Sequence, residues 1–316
     1  MSTRFVPDHG LTARMTATMF LLGGIFVLVV VGLMVYVQST ALALVIGMVG
    51  LGIAWFQWYK SDTVALKAMR ARVVTPQEAP ELHAMIDRLC ALADMPKPVV
   101  AIAYTDMPNA FATGRSPSHS AVCVTTGILD RLTLQELEGV LAHELSHVAH
   151  RDVLVMTLAS SAAIVTGMVM RGAQWGAIGG FGRRSNDNNG LPVWLVVMLV
   201  SIVVYAISFL AIKLLSRYRE LAADRAGAYL TGDPSALANA LTKISGQMAA
   251  IPQRDLRQVE PMNAFFIAPA ISGANLKTLT STHPTLEQRL QQLAKIANDL
   301  GRPLDGGFPA DPGPRP

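Results

Sequence analysis

Charge is scarce in this chain. Asp, Glu, Lys and Arg make up 15% of its 316 residues, against 51% hydrophobic. Soluble domains carry about 25% charged residues, so an ordinary water-facing globule is a poor fit, and the mean hydropathy of +0.38 agrees. Cysteine is nearly absent. Cys90 and Cys123 make neither a disulfide framework nor a CxxC metal knuckle, and two reduced thiols suit a cytosol-facing protein. The net charge of +4 is mild. No basic block with interleaved aromatics occurs, which argues against nucleic acid as a partner. The chain has no internal repeat.

What it does have is long uncharged runs. Residues 15–37 and 41–59 carry no charged side chain, and at 1.5 Å per residue each is long enough for a bilayer core of ~30 Å. The first run exceeds the apolar core of a signal peptide and a second follows at once, so a cleaved leader is the weaker reading. Trp55, Trp58 and Tyr59 close the second run as an interfacial aromatic belt. Arg4 and Arg14 precede the pair; Lys60, Lys67, Arg70 and Arg72 follow it. The positive-inside bias therefore puts both flanks in the cytoplasm. Residues 153–170 and 191–212 form a third and a fourth run, separated by a loop rich in glycine and asparagine. The expected class is α+β, predominantly helical: an integral membrane protein with four candidate transmembrane helices. The expected layout is a cytoplasmic N-terminus over 1–14 and a hairpin over 15–59. Soluble structure follows over 60–152, a second hairpin over 153–215, more soluble helical structure over 216–300, and a disordered Pro/Gly-rich tail over 301–316.

Within 73–152 the pattern predicts a helix over 75–95, with Leu82, Met85, Ile86, Leu89 and Leu92 at helical spacing and Thr75 and Glu78 as a capping box. Short strands are expected over 98–106 and 120–129. Thr133 and Glu136 form a second capping box, opening a helix that carries HELSHVAHRD at 143–152.

That stretch holds three of the chain's seven histidines. His143 and His147 are four apart, so on a helix their imidazoles share a face and can grip one metal ion. Glu144 can reach a water beside that ion. This is the H-E-x-x-H arrangement of zinc hydrolases, and chance would produce it in such a composition about 0.004 times. His150 ranks well below the other two, because a polar residue at a helix end more often caps carbonyls. A catalytic zinc takes three protein ligands, and the H-x-x-G-x-x-H extension that would supply a third histidine is absent. Glu220 and Asp224, again four apart, offer carboxylates: one for the metal, the other for the free N–H of a ligating histidine. Alone, that helix would read as an ordinary charged face with Arg217, Arg219 and Arg225.

Taken in order, HELSHVAHRD, two apolar runs, RELAADRAGAYL and STHPTLEQRL resemble the HtpX family of membrane zinc metalloproteases, relatives of the CAAX prenyl protease. MPNAFATGR at 107–115, followed by VTTGIL, resembles that family too. The resemblance implies a cytoplasmic zincin-like catalytic domain of the glutamate-zinc type that holds one Zn2+. His143, His147 and Glu220 would be the ligands and Glu144 the general base. Asp224 and Asp152 would stand behind the ligands. His283 would stabilise the oxyanion. Asn109, Ala110, Phe111 and Ala112 would hold the peptide. His147 and Glu220 must then meet, so the chain between them either crosses the bilayer twice or dips in and returns.

The expected function is a multi-pass inner-membrane endopeptidase cleaving misfolded or unassembled membrane proteins at the cytoplasmic face. Its partners would be polypeptides and the lipid bilayer. Two alternatives stay open: a non-catalytic scaffold or chaperone on a protease fold, and a zinc hydrolase of non-peptide substrates. An ion transporter fits poorly, because the first three apolar runs hold no ionisable residue.

Overall fold

The computed structural model describes residues 9–37, 40–156, 193–250 and 283–302. In chain order its elements begin with α1 (His9–Val37), α2 (Thr40–Tyr59), α3 (Ser61–Ala68), β1 (Arg72–Val73) and α4 (Pro80–Ala93). Then come β2 (Val99–Ala103), β3 (Ala110–Ser116), β4 (His119–Thr125), α5 (Thr126–Leu129) and α6 (Leu134–Ala149). The last are α7 (Val193–Thr231), α8 (Pro234–Ala250) and α9 (Leu286–Asp299). The chain divides into two compact units: Met1–Leu11, Tyr59–Val153 and Ser216–Pro316 form one, Thr12–Trp58 and Leu154–Leu215 the other.

The second unit is helical among its described residues. It turns large apolar side chains outward, with Phe20, Met48 and Val203 respectively 79%, 68% and 57% exposed. A water-soluble helix buries such groups. Among the described residues, one helical stretch, His9–Leu28, is long and apolar enough to cross a membrane by length and composition. α1 and α2 enclose the first two expected runs, and α7 begins within the fourth and continues unbroken past Glu220 and Asp224 to Thr231. From residue 157 the third run lies outside the described residues, as do the loop that follows it and the tail from 303.

The first unit is built on a four-stranded mixed sheet of order β1-β2-β4-β3. β2 runs parallel to β4, while β1 and β3 pair antiparallel with their neighbours. Strand alternation sends side chains to opposite faces. Val100, Ala110, Val122 and Val124 join the main core under α4, α6, α8 and α9. Ala101, Ala103, Phe111 and Cys123 pack with Ala65 of α3 on the other side. β3 is an outer strand of this sheet. Two of its features were hard to foresee: AFATGRS has no apolar alternation, and β1 is only two residues long.

α4 departs from expectation at its start. Thr75 and Glu78 do bond, the backbone N–H of Thr75 donating to Glu78 Oε2 at 2.8 Å. They close a turn, however, and the helix begins five residues later at Pro80. Proline lacks an N–H and pushes its predecessor out of the helical region, so Ala79 at φ −141° is the boundary. The inward stripe is Leu82, Ile86, Leu89, Cys90 and Ala93. Leu92 is exposed, because ten residues from Leu82 rotate it well off that stripe. Full burial of Ile86 and Leu89 contributes about 1.5–3 kcal/mol each. β4 likewise ends before 129: the Thr125 side chain accepts the Ile128 N–H and caps the short α5 instead.

α6 begins as its sequence predicts. Thr133 and Glu136 form a reciprocal capping box, and Lys243 of α8 holds the Glu136 carboxylate at 2.7 Å. Gly139 lets α8 come close; a Cβ there would lie 3.0 Å from the Leu237 nitrogen. We expect Thr133→Ala to lower stability by about 1 kcal/mol through loss of the cap. Thermal unfolding of the detergent-solubilised chain checks this, and an unchanged midpoint would contradict it.

Candidate metal centre

α6 is buried along most of its length, so its two histidines enter the interior together. Four residues advance a helix by slightly more than one turn. That spacing brings His143 Nε2 and His147 Nε2 to 3.3 Å, with the rings nearly perpendicular at 89° and their centroids 4.9 Å apart. Glu144 points to the same place. Its Oε2 accepts the Ala112 N–H of β3 at 3.1 Å, and its Oε1 lies 4.0 Å from His143 Nε2. Because the Ala112 N–H faces Glu144 and not β4, the backbone groups of Ala110, Ala112 and Gly114 form the outer edge of β3.

α7 supplies the opposing wall. Glu220 and Asp224 share its inward face, Oε1 of Glu220 being 3.5 Å from His147 Nε2 and Oε2 3.7 Å from His143 Nε2. One ligand atom from each of His143, His147 and Glu220 falls within 4.8 Å of the others, and all three residues are buried. The approach is close enough to require glycine: a Cβ on Gly227 would sit 2.9 Å from the backbone nitrogen of His143.

Behind each histidine stands a carboxylate, and behind each carboxylate an arginine. His143 Nδ1 donates to Asp224 Oδ1 at 2.9 Å. Arg289 of α9 grips both Asp224 oxygens, Nε to Oδ2 at 2.7 Å and Nη2 to Oδ1 at 2.6 Å. His147 Nδ1 donates to Asp152 Oδ2 at 2.6 Å, and Arg219 Nε lies 2.9 Å from that oxygen. Such bonds fix the tautomer that leaves Nε2 free to ligate. Asp152 gets there through a sharp reversal: α6 stops at His150, and Arg151 takes the left-handed conformation at φ +56°. His150 is that terminal cap residue and is not among the three that could hold a metal.

His283 lies just before the capping box of α9 (Thr285 with Gln288), and its Nδ1 is 3.2 Å from Glu220 Oε2. Asn109 is fully buried. Its backbone N–H donates to Thr125 Oγ1 and its carbonyl accepts from the Thr125 N–H, both at 2.9 Å, which fixes the start of β3. Ala110 packs into the main core and Phe111 under α3. Of the four, Ala112 bonds to Glu144 of the centre through its N–H. Sequence reading missed Arg219 and Arg289. The signal for Arg289 was its place in the inward stripe of α9, with Leu293, Ile296 and Ala297.

Four buried carboxylates, those of Glu144, Asp152, Glu220 and Asp224, thus face two arginines. Burial pushes the Glu144 carboxyl up, only partly countered by His143 and His147. Burial is the largest single influence on Asp224, Asp152 and Glu220 and works to raise them, but Arg289, Arg219 and His283 respectively, together with the histidines bonded to each acid, outweigh it and hold all three low. Burial should lower His143, yet its bonds to Asp224 and Glu220 raise it from 6.5 to about 9. The centre therefore favours a positive charge at the His143–Glu220 junction. Two imidazole nitrogens and a carboxylate also suit a divalent transition metal such as zinc.

Comparison with known proteins bears on the same residues. Residues 76–297 match the family model for Peptidase family M48. Protease HtpX homolog 1 of Streptomyces coelicolor is 55% identical over 302 residues, covering 95% of this chain and 97% of its own. Protease HtpX homolog of Moorella thermoacetica is 50% identical, over 93% and 96% of the two chains. Among solved structures, S. mikatae Ste24p superposes with a TM-score of 0.52 at 18% identity, a likeness of fold. The match covers 89% of this chain and spans 65% of that one.

The charge pattern predicts how the metal-free chain responds to pH. His143 is raised on folding, so its contribution is complete below about 6.5 and is lost as pH rises through about 9. Asp152, Asp224 and Glu220 are depressed on folding, so theirs is present above about 4 and is lost on acidification. Chelator-treated protein should therefore melt highest in mildly acidic buffer and lower at pH 9 than at pH 6. Melting curves across that range test this; a midpoint that rose toward pH 9 would contradict it.

Proposed function

The chain belongs to peptidase family M48, and from that premise we propose that it is a membrane-anchored zinc endopeptidase. Its substrates would be misfolded or unassembled membrane proteins, cut at the cytoplasmic face of the inner membrane. The observation that carries the reading is the convergence of His143 Nε2, His147 Nε2 and the Glu220 carboxylate beside Glu144. Membrane anchoring is supported by the outward apolar faces of α1, α2 and α7. The proposed layout keeps 1–14 cytoplasmic, hairpins over 15–59 and 153–215, catalytic segments over 60–152 and 216–300, and a terminal tail over 301–316.

In this reading His143, His147 and Glu220 hold one Zn2+. When bound, zinc supplies a Lewis acid that acidifies water toward a pKa of ~7 and polarises the scissile carbonyl. Glu144 takes a proton from the attacking water and passes it to the leaving amine. Burial suits it to this role, since a carboxylate raised toward neutrality is the better proton acceptor. The Ala112 N–H holds one Glu144 oxygen and leaves the other for the proton. His283 donates to the developing oxyanion. The outer edge of β3, from Ala110 to Gly114, takes an extended substrate as an added strand. Main-chain bonds then supply affinity with little demand on side-chain identity. Such tolerance suits a protease that clears damaged chains. Asn109 and Phe111 serve this edge from beneath by fixing its backbone, and Asp224 and Asp152 serve the ligands by orienting their rings.

The test pairs metal content with cleavage in detergent-purified chain. Wild type and Glu144→Gln should each hold near one zinc, with casein cleavage falling at least about 10²-fold in the variant. Glu220→Ala should lose the zinc. His283→Ala should keep it while turnover falls about 10²–10³-fold. Full activity in Glu144→Gln, or unchanged zinc in Glu220→Ala, would defeat the reading.

A further inference from the structure

We propose that Arg289 is a positioning residue of the metal centre: its fork on Asp224 fixes the His143 Nδ1–H bond and so aims His143 Nε2 at the ion. The inference rests on the metal-centre reading above and extends it to a residue outside the H-E-x-x-H helix and outside α7.

Three observations carry it. Arg289 is 2% exposed and reaches both Asp224 oxygens, at 2.7 and 2.6 Å. A carboxylate held at both oxygens cannot rotate about its Cβ–Cγ bond, so the acceptor offered to His143 has one direction. The His147 side is built more loosely. There His147 and Arg219 share the single oxygen Oδ2 of Asp152, and Oδ1 has no hydrogen-bond partner among the described residues. The helix bearing Arg289 is also pinned where it must be. Gln292, three residues on and on the same face, donates to the Leu221 carbonyl of α7 at 2.8 Å. α9 therefore meets α7 within the one turn that follows Glu220: Gln292 at Leu221 and Arg289 at Asp224, with Arg289 Nη1 4.0 Å from Glu220 Oε2.

Charge and geometry predict opposite signs, which makes the inference testable. Arg289 is a cation near a cation site, so by Coulomb's law alone its removal should tighten metal binding. If it acts by holding Asp224, its removal should loosen the metal, because partners that orient a ligating histidine are worth about 10–100-fold in affinity. Lysine keeps the charge but lacks the planar fork.

The experiment uses the full chain in detergent as wild type, R289Q and R289K. Zinc affinity is measured by competition with a chromogenic chelator, the visible spectrum of the cobalt-loaded forms reports ligand geometry, and metal-free melting curves report folding. We expect R289Q to bind zinc about 10–100-fold more weakly, R289K not to restore it, and both to alter the cobalt spectrum. Unchanged or tighter binding in R289Q overturns the inference, and so does full recovery in R289K. If R289Q does not fold, R289K decides alone: wild-type affinity and spectrum overturn, weakened binding with an altered spectrum supports. A wild type that binds no zinc defeats the metal-centre reading itself, which separates the two failures.

Discussion

Burying four carboxylates within reach of one another is the constraint around which this protein is organised. An isolated carboxylate in a protein interior costs several kcal/mol, and Glu144, Asp152, Glu220 and Asp224 are nearly or wholly shielded from water. Each is matched. Asp224 has Arg289 and His143, Asp152 has Arg219 and His147, Glu220 has His283, His143 and His147, and Glu144 has a backbone N–H. What is left over is negative charge at the meeting point of two imidazoles and a glutamate. A cation is the natural completion of such a site, and the rest of the first unit reads as the scaffold that keeps it assembled.

That scaffold works through close approach. Gly227 lets α7 reach α6 beside His143, and Gly139 lets α8 reach α6 one turn earlier. The capping box at Thr133 and Glu136 fixes where α6 starts, and hence where His143 and His147 fall about three and four turns later. The sheet behind contributes a specific bond, Ala112 N–H to the Glu144 carboxylate, which ties the edge strand β3 to the acid between the two histidines. Packing, capping and chemistry thus lie on the same few residues, and loosening any of them would be felt at the centre.

Much of this was legible in the sequence. His143, Glu144 and His147 are spaced by the helix they sit on, so local pattern was enough. Glu220 and Asp224 carry the same spacing, but a charged face with three arginines looks solvated until a partner is known, and the family resemblance had to select them. Arg289 was opaque for a different reason: its partner is 65 residues away in sequence, and no local rule pairs them. Only its intrusion into the apolar stripe of α9 hinted at burial. The start of α4 was misplaced because the Thr75–Glu78 pair is real while Pro80 overrides it. β1 was invisible because two residues carry no period. The unbroken course of α7 past the end of its apolar run could not be read from hydropathy, which reports where a run ends and not where a helix does.

The left-handed turn at Arg151 has a consequence for how this segment tolerates change in length. One residue in that conformation separates the end of α6 from Asp152, and the acid must return to a ring on the helix it has just left. A single insertion between His147 and Asp152 would swing the acid by about 100° if added to the helix, or push it outward by up to about 3.5 Å if added to the turn. Either displacement exceeds the slack in a 2.6 Å bond. The five-residue interval from His147 to Asp152 is therefore a fixed measure. Substitutions can accumulate along it, but an insertion or deletion cannot.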